Sequence, residues 1–274
     1  MKKLILSLFI SLSFITVFAQ RPVVGVVASS IQNEVVGGGG TGTVTFVNTN
    51  GDPVEGTTTL SVPLPSSRVV GNIMLLFVSN KYPPNGATST PSGWSTFTNY
   101  QSDNTGLTAG AAAGNTRTTV FYRIIDGSES GNVSVDMASG NVALGWTMQF
   151  SKSDGTWQVG GAKGADDTHD DATNITLNTD PGFTTGDMAV SCLSINATSG
   201  TAVLGESATL TVPGVTLGAA VGETNSTSSG DDIRTFFVYQ NVTDGTSSGA
   251  ASYTHDILTS SAASMVLVRL RAAL

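Results

Sequence analysis

The chain has 274 residues, with 12 Lys+Arg against 20 Asp+Glu, 32 glycines and one cysteine. Without Lys2 and Lys3 the balance becomes 10 basic against 20 acidic residues. Such a net charge of −10 repels nucleic acid and anionic membrane surfaces, and excludes them as expected partners. The single cysteine excludes an intrachain disulfide, so stability has to come from burial.

In chain order, Lys2 and Lys3 precede an apolar run over residues 4–18, closed by Val17-Phe18-Ala19. This is a signal-peptidase pattern, with an apolar stretch too short to span a bilayer comfortably. Residues 1–19 therefore read as a signal peptide, and the remainder as secreted or surface-exported. Cys192 is far from the cleavage region, so no lipid anchor is expected, and no later run is long enough to insert in a membrane. Residues 20–42 read as a flexible Gly-rich segment. Gly37, Gly39 and Gly42 match a dinucleotide-binding spacing, but residues 43–47 that follow are strand-like, which rejects that reading.

Beyond this point no helix is expected. Apolar residues alternate with period two or form short runs bounded by turn residues such as Asn50-Gly51, Asp126-Gly127 and Asp244-Gly245. Ile73-Met-Leu-Leu-Phe-Val78 is apolar on both faces and reads as a central strand. Residues 118–125 are β-rich in composition. In residues 142–150, Val142, Leu144, Trp146, Met148 and Phe150 share one face. Ala143, Gly145, Thr147 and Gln149 share the other. The first face is expected in the core of the first half, the second towards solvent. Cys192 lies in an apolar run, residues 188–195, and reads as a buried inert thiol. In the closing strand Arg269 shares a face with Met265 and Leu267, so that face has to reach solvent or a carboxylate.

An internal duplication organises the chain. Val69-Val-Gly-Asn72 and the strand after it resemble Thr184-Thr-Gly-Asp187 and its strand. Pro91-Ser-Gly-Trp94 resembles Val212-Pro-Gly-Val215. Arg117 to Gly127 resembles Arg234 to Gly245, and Ser130-Gly131 matches Ser248-Gly249. The offset stays near 115–122 residues. The fold class is accordingly all-β: a β-sandwich, jelly-roll or Ig-like, in two repeat-related halves of about seven strands each. The halves are assigned to residues 43–155 and 156–274. Two packed sandwiches and one sandwich built from both halves each fit this pattern.

Gly71-Asn-Ile-Met-Leu75, Pro91-Ser-Gly-Trp94, and Val120-Phe-Tyr-Arg123 followed by Asp126-Gly-Ser-Glu129 carry a resemblance. In that order they resemble a loosely defined group of secreted bacterial and phage virion-associated β proteins. The resemblance spans residues 57 to 270 and is strongest in the first half. In the second half Val215 replaces the tryptophan and Gly245-Thr-Ser replaces Gly-Ser-Glu. The resemblance implies a β-sandwich and a non-catalytic role, and carries over no site residues.

Catalytic chemistry is poorly supplied. There are two histidines, His169 and His255, and no His-Glu-x-x-His. Gly127-Ser-Glu-Ser-Gly131 puts Glu where a nucleophile elbow needs Ser. The chain is not expected to be an enzyme, and a hydrolase is the last reading. No cofactor is expected, with calcium the one candidate: Asp166, Asp167, Asp170 and Asp171 crowd six residues, and a hard cation could neutralise them. A solvated acidic loop is the favoured alternative. Trp94 and Tyr82 are the aromatics that could stack on a sugar ring, although packing is favoured for both. The expected function is a structural or adhesive component of a surface or extracellular assembly. Self-association or a surface or glycan partner is expected of it. A soluble glycan-binding module and a phage virion-associated surface protein are the alternatives.

Overall fold

Seventeen strands and no helix make up the described residues, which are 42–82, 88–101, 115–137, 142–166, 174–196, 208–226, 233–255 and 263–274 of the computed structural model. The first half supplies β1 (Val44–Thr49), β2 (Val54–Gly56), β3 (Thr59–Pro63), β4 (Ile73–Tyr82), β5 (Ser95–Gln101), β6 (Asn115–Ile124), β7 (Asn132–Asp136) and β8 (Ala143–Lys152). The second supplies β9 (Thr156–Asp166), β10 (Asn174–Thr176), β11 (Met188–Asn196), β12 (Ala208–Thr211), β13 (Val215–Leu217), β14 (Val221–Ser226), β15 (Ile233–Gly245), β16 (Ser252–His255) and β17 (Ala263–Ala273).

Each half builds one large and one small antiparallel sheet. The first large sheet runs β1-β8-β4-β6-β5, with β2 also on β8. The second runs β9-β17-β11-β15-β13, with β14 also on β15. Strand for strand, the order is the same. The small sheets are β3-β7 and β10-β16-β12. Residues 39–274 form one compact unit.

Three cores separate four layers. Between the first small and large sheets lie Leu60, Val62, Met74, Leu76, Phe121 and Val135. Between the second pair lie Ile175, Leu193, Leu210, Phe236, Tyr253 and Leu267. The third core lies between the two large sheets: Ile73, Leu75, Phe77, Trp146 and Phe150 pack with Val190, Cys192, Phe237, Val268 and others. Two sandwiches therefore pack large sheet to large sheet. Alternation along β4 sends Ile73, Leu75 and Phe77 to the junction and Met74, Leu76 and Val78 to the small sheet, because successive side chains leave a strand on opposite faces. That is why this segment is apolar throughout.

The repeat is visible in the backbone. Asn72 N donates to Val69 O and Asp187 N to Thr184 O, each at 3.1 Å. Ile125 N donates to Asn72 O and Val242 N to Asp187 O, each at 2.8 Å. Gly71 (φ 89°) and Gly186 (φ 92°) take the third position of these turns. A type II turn requires that left-handed conformation there, and glycine adopts it without steric cost.

Residues 142–150 behave differently from the sequence expectation in two ways. Trp146 is 2 % exposed, but it sits at the junction rather than inside the first half, with its ring 4.4 Å from that of Phe237. Its opposite face is also dry: Ala143, Thr147 and Gln149 are fully buried. The first small sheet covers it so closely that a Cβ on Gly145 would fall 2.5 Å from Val62 Cγ2. Small residues stand on this face because another sheet lies against it.

Candidate functional site

Trp94 is not available for stacking. Its backbone N bonds Pro91 O at 3.1 Å, and the turn folds its ring into the first-half core beside Phe121 and Ile125. Only 8 % of it is exposed, so it takes the packing role favoured from the sequence and not the stacking alternative. Tyr82 closes β4, but its side chain lies outside the described residues. Asp166 ends β9 opposite Ala263. Its side chain, with Asp167, His169, Asp170 and Asp171, lies outside the described residues. Among the described residues no group of three or more His, Cys, Asp or Glu could hold a metal ion, and no helix is long and apolar enough to cross a membrane.

Cys192 is fully buried at the junction, near a hydroxyl chain. Thr118 Oγ1 lies 2.7 Å from Ser194 Oγ and 2.9 Å from Ser264 Oγ, and Ser194 Oγ donates to Ser79 Oγ. Ser79 Oγ is 3.7 Å from Cys192 Sγ. Burial pushes the thiol up to about 12, so it carries no thiolate at neutral pH. Arg269 stays partly exposed, as its face required, and the carboxylates of Asp187 and Asp180 act on it through space. Its Nη1 donates to Pro181 O and Gly182 O at 3.1 and 2.8 Å.

The Arg-x-x-Asp-Gly-Ser-Glu segment after β6 is a self-contained ionic turn. Glu129 has a side chain only 1 % exposed, and its Oε1 lies 2.9 Å from Arg123 Nε. The same carboxylate accepts the backbone N–H groups of Asp126 and Gly127, both at 3.0 Å. Asp126 is held down at about 2, first by the Ser128 hydroxyl, then by Ser128 N and by Arg123. Arg68 ties the preceding loop to the same turn through Glu129 O at 3.2 Å. Each group serves another of the same turn, which makes the motif structural.

Beside this turn is the most unusual surface of the protein. Val69, Val70 and Ile124 are 54 %, 68 % and 49 % exposed. They belong to one end of the first half, because Gly71 N bonds Ile125 O at 2.9 Å, and Val70 Cγ2 approaches Gly127. By the register of the repeat their counterparts are Thr184, Thr185 and Asn241. The second half spends its charge differently. Asp187, fully buried, takes Arg271 Nε at 2.8 Å and Nη2 at 2.6 Å, where the first half has Asn72 and Ser151. Sequence reasoning passed over the apolar tip, although Val69-Val70 against Thr184-Thr185 was a readable signal of it.

The sheet edges are less inviting. Edge strands β1, β5 and β13 carry register shifts, at 46/48, 96/98 and 216/217, whereas edge strand β9 pairs with β17 in unbroken register. Bulges of this kind twist an edge away from further pairing. Comparison with protein-family models, curated proteins and solved structures gave no match.

Proposed function

We propose that the chain is an exported, non-catalytic β-sandwich protein that associates with itself through the apolar tip of its first half. In this reading it serves as a structural or adhesive component of an extracellular assembly. Export rests on the pattern of residues 1–19. The observation that carries the rest is the exposure of Val69, Val70 and Ile124, where the duplicate half has two half-buried threonines and an exposed asparagine. Clustered exposed apolar residues mark association sites far more often than scattered ones do.

A second copy is the occupant that fits the charges. The chain is acidic overall, so two copies repel at long range. At the tip, however, Arg123 is matched by Glu129 and Asp126. Two tips can therefore meet without burying an unmatched charge. Size-exclusion chromatography with light scattering on the secreted protein tests this over a range of concentrations. Self-association is expected for the wild type and loss of it for Val69→Thr/Val70→Thr/Ile124→Asn, which copies the second half. A wild type that stays monomeric at every concentration would overturn the proposal.

A further inference from the structure

The two sandwiches differ again at the end of their cores remote from the Gly71 and Gly186 turns. In the second half Ile195 and Phe236 fill the last core layer under the small sheet, 1 % and 3 % exposed. The unbroken registers of β4 with β6 and β11 with β15 put Asn80 and Thr119 at the same two places in the first half. Asn80 lies opposite Ala143 as Ile195 lies opposite Ala263. Thr119 lies opposite Val78 as Phe236 lies opposite Leu193.

Asn80 and Thr119 are as buried as their apolar counterparts, at 0 % and 1 %. Neither amide atom of Asn80 has a hydrogen-bond partner, nor has the Thr119 hydroxyl. Thr88 stands opposite Met137, a member of the same core, and its buried hydroxyl is also unpartnered. Arg117 is the direct cross-strand partner of Asn80, so both leave their strands on the same face. Buried polar groups in folded proteins are almost always satisfied, and each exception asks for a missing partner. Fold stability does not require these groups, because the second half closes the same layer with Ile195 and Phe236. Thr119 is smaller than its counterpart Phe236 by a phenyl ring.

We propose that this end of the first sandwich binds a small uncharged ligand rich in hydroxyl groups, such as a sugar residue. The Asn80 amide offers one donor and one acceptor side by side, which matches a pair of adjacent hydroxyls. Thr119 adds a hydroxyl that donates or accepts as needed. A metal ion is a poor fit, since the set brings no carboxylate and lies beside Arg117. The site is independent of the apolar tip, which lies at the other end of the first sandwich.

The test uses the full secreted chain. Saturation-transfer NMR with glucose, galactose, mannose and N-acetylglucosamine reads free sugars, and a glycan array reads terminal residues of larger glycans. Binding by at least one arm is expected, weakened at least tenfold in Asn80→Ile and in Thr119→Val. Two separate variants are used so that misfolding of one leaves the other informative. Both should hold or raise the melting temperature in the absence of ligand, as the second half's residues do their packing without polar groups. Absence of binding in both arms would overturn the proposal, with density for water alone at Asn80 in a high-resolution crystal structure as the accompanying sign. Binding that both variants retain would overturn it equally, because the sugar would then sit elsewhere.

Discussion

Gly71 and Gly186 sit in the same turn with the same hydrogen bonds, yet Val69-Val70 precede one and Thr184-Thr185 the other. This contrast runs through the two halves. At these turns the backbone demands a conformation and the residue repeats: Gly93 and Gly214, with φ of 79° and 83°, are a further pair. At several positions where only side-chain chemistry is at stake the halves have parted: at the tip, at Asn72 and Asp187, and at Asn80 and Ile195. The junction keeps a trace of twofold symmetry. Val44 N in the first half donates to Gly186 O at 3.4 Å, and Trp157 Nε1 in the second donates to Gly71 O at 2.8 Å. By strand register Val44 and Trp157 are equivalent positions. One geometry is thus met once by a main-chain donor and once by an indole.

The comparison breaks most visibly at the junction, where the halves have to act as one. Trp146→Ala and Phe237→Ala should each cost about 3–5 kcal/mol, because each leaves a large cavity between tightly packed sheets. Their rings meet edge to face at 4.4 Å, so a double-mutant cycle should show coupling of about 0.5–1.5 kcal/mol. Urea denaturation followed by tryptophan fluorescence and by circular dichroism should give one coincident transition. Two separated transitions would show that the halves unfold independently and that the junction core contributes little.

The next largest effect concerns the displaced charge pair. Asp187→Asn should destabilise by about 2–3 kcal/mol, below the full cost of breaking a buried pair because Arg271 keeps 17 % of its side chain exposed. Asn72→Asp places a carboxylate at the equivalent site of the first half, where Ser151 stands in place of Arg271, and should cost a similar amount. Adding Ser151→Arg should recover part of the loss. No recovery would mean that the two turns differ in more than these two side chains.

How far all this could be read from the chain depends on the kind of feature. The period-two pattern marks β4 and β8, and the matched Gly, Pro and Asp-Gly landmarks mark the repeat, since both are local constraints on backbone and burial. That neither face of β8 meets solvent was not readable. Its Ala, Gly, Thr and Gln look like a hydrated surface, and only the distant strands β3 and β7 make that face interior. Gln149 shows the consequence: its Nε2 bonds Ser67 O at 3.2 Å inside the protein. Gln149→Glu should accordingly cost about 2 kcal/mol or more, as a charge entering a dry layer, measured by urea denaturation at neutral pH. The stacking alternative for Trp94 stayed open for a related reason. A Pro-Ser-Gly turn suggests exposure, but a turn says nothing about whether its last side chain folds back over a neighbouring strand. The apolar tip and the Asn80 cluster become meaningful only when the halves are superimposed by strand register.

A smaller effect sets the ionic turn of the first half against its second-half counterpart, where Gln240 replaces Arg123. Asp126 is depressed to about 2, so its contribution to stability is complete above the ordinary carboxylate range and fades as pH falls from about 4 towards 2. The difference in stability between wild type and Asp126→Asn should then be flat between about pH 5 and 8 and shrink below about pH 4. A difference that persists unchanged at about pH 2 would mean that the Ser128 and Arg123 contacts do not depend on the charge of Asp126.

The smallest effect on stability is expected where the effect on behaviour is largest. Val69 and Val70 are more than half exposed, so Val69→Thr/Val70→Thr removes little buried surface and should change the folding free energy by less than about 0.5 kcal/mol. The second half shows that the same turn closes with Thr184 and Thr185, so no backbone strain is introduced. Any loss of self-association in this variant can therefore not be a by-product of unfolding. The converse substitution sharpens the argument. Thr184→Val/Thr185→Val gives the second half two half-buried valines without the third apolar residue, because Asn241 stands where Ile124 does, and without the ionic turn beside it. If the association surface needs the whole tip, this variant should remain at the wild-type oligomeric state in light scattering. If it instead forms larger species, two valines on this turn are sufficient for association, and the specific role of Ile124 and the Arg123–Glu129 turn falls away.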